Sequence, residues 1–122
     1  MRNRLIAVAS VACVTFFTPV FADTWSAAYD NTIVSTYDDG HVVDVYVEAD
    51  HSYTIVPRDG SDEISGTWSD DTGESCFKII SPAAYAGGSP LCFPIKDYQI
   101  GDTFEGTDST GHFVAKIVKG RS

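Results

Sequence analysis

The feature that most constrains the fold is a succession of short β-type runs separated by turn residues. Apolar or β-branched residues alternate with polar ones, and clusters of Asp, Gly and Asn interrupt them at the spacing typical of an antiparallel sandwich or barrel. The only segments compatible with a short helix are residues 24–29 and 82–85. The predicted strands are residues 32–37, 41–48, 52–57, 63–69, 75–81, 91–95, 103–107 and 112–119.

Eight short strands joined mostly by tight hairpins predict an all-β fold, a small antiparallel up-and-down meander. Closing such a meander into a barrel removes the exposed edges that recruit other chains. An eight-stranded barrel has room for packed side chains or for one small ligand, and strands this short favour a mostly filled interior. The large side chains expected to fill it are Tyr46, Trp68, Phe77, Phe93, Phe104 and Phe113.

Residues 1–22 have the three-part pattern of a cleavable signal peptide. Arg2 and Arg4 form a basic start, residues 5–17 are almost wholly apolar, and the segment ends on small or modest residues up to Ala22. The apolar run is shorter than the ~20 residues that a membrane span needs. We therefore expect cleavage after Ala22, a single β-barrel domain over residues 23–122, no membrane span, and a periplasmic or secreted location.

The cysteine count predicts one disulfide in the mature chain. Cys13 leaves with the predicted signal peptide, so the mature chain keeps only Cys76 and Cys92. A pair of cysteines in an exported protein predicts a disulfide, which stabilises a loop of this length by ~3 kcal/mol in the chain-entropy model. Zinc is the alternative, but two thiolates with no nearby Cys or His do not make a full ligand set.

The mature chain is strongly acidic. It would carry six basic and seventeen acidic residues, a formal charge of −11. Because nucleic acids and anionic lipids are bound by Lys and Arg, this charge argues against both as partners. It permits a basic partner, although acidic loops can equally serve solubility alone.

The sequence contains no recognisable catalytic signature. It lacks a G-x-S-x-G elbow, a phosphate-binding glycine loop and an HExxH motif. His41, His51 and His112 each follow a turn, which indicates solvated positions, and the acidic clusters lack the loop spacing of a calcium site. We therefore expect no enzyme activity, no cofactor and no metal.

Aromatic residues near strand ends and loops are the best candidates for recognition. Such residues either cap a small core or form binding contacts, since aromatic side chains dominate interface hot spots. The long irregular segment 82–90 carries Tyr85 between small residues, as an exposed recognition loop or a plain linker would. The candidate ligand or partner contacts are Trp25, Tyr85 and Tyr98.

Several short motifs across the mature chain are similar to those of a known group of proteins. They are Asn31-Thr32-Ile33-Val34, Gly66-Thr67-Trp68, Cys76-Phe77, Ile100-Gly101-Asp102-Thr103-Phe104 and Lys119-Gly120-Arg121. Together they resemble a group of small exported bacterial proteins that are lipocalin-like, and this resemblance implies a calycin-type barrel with no catalytic role. The G-x-W strand with a downstream cysteine is also similar to disulfide-bonded periplasmic inhibitors of secreted metalloproteases.

These observations predict an exported, monomeric and non-enzymatic binding module whose ligand or partner is a protein or a small molecule. The alternative is a proteinaceous inhibitor of an envelope or secreted hydrolase, such as a lysozyme or a protease, which the acidic loops would contact.

Overall fold

The computed structural model describes residues 24–121, so the predicted signal peptide lies outside the described residues. The described chain is all-β, as predicted, and none of its helices is long and apolar enough to cross a bilayer. Two 3₁₀ turns, Ser26–Ala28 and Ala83–Tyr85, fall in the two segments that were compatible with a short helix. The strands are β1 (Thr32–Tyr37), β2 (Val42–Val47), β3 (Ser52–Pro57), β4 (Ile64–Ser69), β5 (Glu74–Ser81), β6 (Leu91–Pro94), β7 (Thr103–Asp108) and β8 (Gly111–Val118).

The eight strands form one antiparallel sheet that curls into a nearly closed barrel. Their order is β6-β5-β4-β3-β2-β1-β8-β7, so the first strand pairs with the last. The break in the wall lies between β6 and β7, where the rings of Phe93 and Phe104 meet edge to face at 5.3 Å. The predicted meander and barrel are confirmed.

Aspartate side chains build several of the tight turns. Asp50 and Asp59 accept hydrogen bonds from the backbone N–H and hydroxyl of the serine two residues on, and Asp39 and Asp108 accept backbone N–H groups in the same way. Such Asx turns mimic a backbone turn and stop a strand. Gly60, in one of these turns, has a φ of +87°, which glycine adopts without steric cost.

The alternation of strand direction gives the barrel two ends. The upper end carries the connections 38–41, 58–63, 82–90 and 109–110, which leave β1, β3, β5 and β7. The lower end carries the entering segment 24–31, the connections 48–51, 70–73 and 95–102, and residues 119–121. At this lower end Arg121 donates hydrogen bonds to the carbonyl of Asn31 and to the carboxylate of Glu48.

Aromatic rings fill the interior. Of the six predicted core aromatics, Trp68, Phe77, Phe93 and Phe113 are buried and Phe104 packs against them half-buried. The prediction for Tyr46 is wrong: it pairs with Thr54 on the outer face, out of phase with the inward valines of β2, and lies under the guanidinium of Arg121. The buried aromatics that were not predicted as core are Trp25, Tyr53 and Tyr98.

The predicted disulfide is present. Cys76 on β5 and Cys92 on β6 are direct partners in the sheet register, and their sulfurs are bonded. The bond therefore joins the two strands that the segment 82–90 connects.

Gly66 on β4 marks a place where the sheet has no room for a side chain. A Cβ atom there would lie 1.9 Å from the carbonyl oxygen of Lys78 and 2.9 Å from the ring of Tyr53. Because the neighbouring backbone is held in the ladder between β4 and β5, we expect Gly66→Ala to lower the free energy of unfolding by about 3 kcal/mol in chemical denaturation.

Gly87→Ala is the matched control, because a Cβ at that exposed loop position meets nothing within 4 Å. We expect it to change stability by no more than about 0.5 kcal/mol. Equal effects of the two substitutions would contradict the packing described for Gly66.

Candidate functional site

Two of the three candidate contact residues belong to the core. Trp25 is 0% exposed and Tyr98 is 1% exposed, and their rings stack with centroids 4.4 Å apart. The Trp25 indole N–H donates to the hydroxyl of Ser75 at 2.7 Å, and the Tyr98 hydroxyl donates to the carbonyl of Pro94 at 2.8 Å. Both rings therefore pack in the core, because the segment 24–31 turns inward and places the indole inside the lower end of the barrel.

Tyr85, the third candidate, is available to a partner. It lies in the 3₁₀ turn after β5, and 56% of its surface is exposed. Ile80, near the end of β5, is 52% exposed, and it sits where the pairing with β4 shifts register between Ser65 and Gly66. The structure thus presents two large apolar side chains near one another along the chain at the upper end.

An acidic turn lies beside these apolar residues. Ser65, at the start of β4, pairs with Ser81, at the end of β5, so the connection 58–63 neighbours the segment that carries Tyr85. Asp59, Asp62 and Glu63 are all exposed in that connection. We call residues 58–63 and 80–90 together the upper rim.

The single cation of the upper rim is already paired. Arg58 donates to both carboxylate oxygens of Asp44, on the outer face of β2, with its shortest contact at 2.8 Å. This hydrogen-bonded pair raises the pKa of the Arg58 guanidinium. Within residues 24–121 no salt bridge joins Asp59, Asp62 or Glu63 to a cation, so their charges face solvent.

A second acidic group occupies the opposite side of the upper end. His112 on β8 lies between two carboxylates, with Nδ1 2.8 Å from Asp38 and Nε2 2.8 Å from Glu105. Hydrogen bonding to Asp38 and then to Glu105 raises the pKa of His112 above its ordinary 6.5. The Tyr37 hydroxyl donates to Asp108 at 2.6 Å, and burial of Tyr37 raises its pKa.

The lower end has a different chemistry. Ile95 and Ile100 are exposed there, but Lys96, Lys119 and Arg121 lie among the carboxylates of that end. The upper rim therefore has the more uniform negative charge.

Within residues 24–121, the one cluster of possible metal ligands has no free thiolate. Glu74, Cys76 and Cys92 converge, but the two sulfurs are bonded to each other and leave one carboxylate. Two depressions on residues 24–121, of about 280 and 460 Å³, lie on the outer wall beside Arg58 and beside the disulfide.

Comparison with protein-family models, with curated proteins and with solved structures found no match for this chain. The lipocalin-like resemblance stays a prediction.

The different positions of Trp25 and Tyr85 predict different effects of the same substitution. Trp25→Ala removes a buried ring and leaves Ser75 without its indole partner, so we expect a loss of about 4 kcal/mol in the free energy of unfolding. Tyr85→Ala removes an exposed ring and should cost no more than about 0.5 kcal/mol. Denaturant titration of both variants measures the two effects, and a stable Trp25→Ala variant would contradict the core assignment.

The position of His112 predicts a pH-dependent contribution to stability. Because its pKa is raised in the folded state, the contribution is fully present below pH 6.5 and disappears as the pH rises through the raised value. NMR titration should give a midpoint above 6.5 for His112, and Asp38→Asn with Glu105→Gln should return it toward 6.5. A wild-type midpoint at or below 6.5 would rule out this environment.

Proposed function

We propose that this protein is an exported, non-enzymatic module that binds a protein partner through its upper rim. The observation that carries the proposal is the juxtaposition of exposed Tyr85 and Ile80 with the uncompensated carboxylates of the connection 58–63. The predicted signal peptide and the intramolecular disulfide support a location in the periplasm or outside the cell.

The filled interior supports a protein partner over a small-molecule cargo. Trp25 occupies the lower end of the barrel and contacts the rings of Phe77, Phe93 and Phe104 with centroid distances of 5.4–5.9 Å. Pockets for small molecules are concave and bury most of the ligand. Since the depressions described above are open to the outer wall, binding at the exposed rim suits this barrel better than enclosure.

The chemistry of the rim selects the kind of partner. Tyr85 offers a large, amphipathic side chain with little rotamer freedom to lose, which is typical of an interface anchor. Asp62 and Glu63 nearby favour Lys or Arg on the other surface and speed the encounter with a basic protein at low salt. We therefore propose a partner with a basic surface around a depression that accepts an aromatic ring.

Inhibition of an envelope or secreted hydrolase is the second candidate function. The segment 82–90 that presents Tyr85 is bounded by Pro82 and Pro90, and the strands on either side of it are joined by the disulfide. A loop held in this way loses less conformational entropy on binding, which favours tight insertion into an enzyme cleft. Basic hydrolases such as lysozymes have the complementary charge.

Capture from the envelope of the source cell tests the proposal. We expect the immobilised chain 23–122 to retain a basic protein at low salt and to release it as the salt concentration rises. Tyr85→Ala should weaken binding of the captured protein about tenfold or more, and Asp62→Asn with Glu63→Gln should slow its association. Calorimetry and surface plasmon resonance measure the two effects.

The matched control carries the same kinds of change at the lower end, Ile100→Ala with Asp71→Asn and Asp97→Asn, all at exposed positions. It should bind as the wild type does. Equal losses in the rim and control variants, or a bound small molecule in native mass spectrometry with no protein partner, would overturn the proposal. If the captured protein is a hydrolase, a fall in its activity at equimolar addition identifies an inhibitor.

A further inference from the structure

Three side chains with metal-binding atoms converge on the outer wall of the barrel. The carboxylate of Glu74 and the sulfurs of Cys76 and Cys92 all lie within 4.8 Å of one another. Glu74 and Cys76 are two residues apart on β5 and therefore point to the same face of the sheet, and Cys92 is the direct partner of Cys76 on β6. The convergence is therefore built into the strand register rather than into a loop.

The core side of these two strands does not depend on the bond between the sulfurs. Ser75, Phe77 and Phe93 face inward from the same strands, and all three are buried. The ladder between β5 and β6 runs from the pair Glu74–Pro94 to the pair Phe77–Leu91. Since the cysteines face outward, we expect their reduction to leave the inward contacts and the ladder in place. The two thiols would then remain side by side.

The freed sulfurs and the carboxylate make a ligand set for zinc. A Zn–S bond is about 2.3 Å long, so two thiolates on one tetrahedral ion are about 3.8 Å apart. Directly opposite residues of an antiparallel pair hold their Cβ atoms about 5 Å apart, which suits this separation. The sequence argument against zinc found no third ligand near the cysteines, and the strand register supplies one in Glu74.

The depression beside the cluster supplies access and a balancing charge. It has a volume of about 460 Å³, faces solvent, and is lined by Lys78 as well as by the three ligands. A nearby Lys favours the thiolate form of a cysteine, which is the form that binds metal. Two thiolates and one carboxylate around Zn²⁺ leave one net negative charge, which the Lys78 ammonium stabilises.

We propose that the reduced protein binds Zn²⁺ through Glu74, Cys76 and Cys92, with water in the fourth position. A dithiol gives up two electrons and two protons and is oxidised to a disulfide, while the bond between Cys76 and Cys92 breaks to two thiols. Zn²⁺ then displaces both thiol protons. The ion again joins β6, which is an edge strand, to β5, and so replaces the disulfide as the link between them.

Metal titration of the chain 23–122 tests the proposal. The protein is reduced with a dithiol, separated from it under exclusion of oxygen, and titrated with Zn²⁺ in competition with a chromophoric chelator at neutral pH. We expect one ion per chain for the reduced protein and none for the oxidised protein. Co²⁺ in place of Zn²⁺ should give the sulfur-to-metal charge-transfer absorption of thiolate coordination.

Variants identify the ligands. Glu74→Gln should weaken Zn²⁺ binding by the reduced protein about tenfold or more. Glu63→Gln is the matched control, because it makes the same change at an exposed position in another connection, and it should bind as the wild type does. Cys92→Ser should remove the stoichiometric binding.

Stability gives a readout that does not need the chelator. Zn²⁺ should raise the denaturant midpoint of the reduced protein and leave that of the oxidised protein unchanged. A reduced protein that binds no ion, or that is unfolded both with and without Zn²⁺, overturns the proposal, and so does equal binding by Glu74→Gln. Capture of a partner by the upper rim uses the oxidised protein, so the two proposals can fail separately.

Discussion

The burial of the Trp25 indole at the lower end of the barrel is the interaction on which the rest of the structure depends. The entering segment supplies Trp25, one of the two buried indoles of the interior. Its contacts reach β5, β6, β7 and the connection 95–102, so one side chain joins both sides of the break in the wall. The hydrogen bond to Ser75 fixes the depth of the ring.

The two ends of the barrel differ in their contacts with the rest of the chain. The lower end contains the entering segment, the Thr24–Asp70 hydrogen bond and the contacts of Arg121 with Asn31 and Glu48. At the upper end, Asp39, Asp59 and Asp108 each accept a backbone hydrogen bond within their own turn. Its exposed residues Ile80 and Tyr85 lie outside the buried core, which agrees with the proposal that they contact a partner.

Local features, the strands and turns, were predicted from the sequence. Features that depend on contacts between distant residues were missed. Asp-Gly turns and β-type runs specify strands within one or two residues, because an Asx turn is made by neighbours in the chain. The alternation of side chains also indicates the faces on which Tyr46 and Tyr53 lie. Tyr53 pairs with Val47, which faces inward, whereas Tyr46 precedes Val47 on the same strand and therefore faces outward. The burial of Trp25 depends on its stacking with Tyr98, and the upper rim is assembled by the pairing of Ser65 with Ser81. Both contacts join residues that are distant in the sequence, so the alternation within a strand does not predict them.

The pairing of β1 with β8 has a consequence for the order of events in folding. Ile33 and Ile117 face each other across the join, so the first strand gains its second neighbour only when the last one arrives. Contacts this distant in sequence form slowly, because a long loop must close before they repay its entropy. Until β8 pairs with β1, the sheet has an open edge at β1, and an unpaired edge of this kind can pair with other chains.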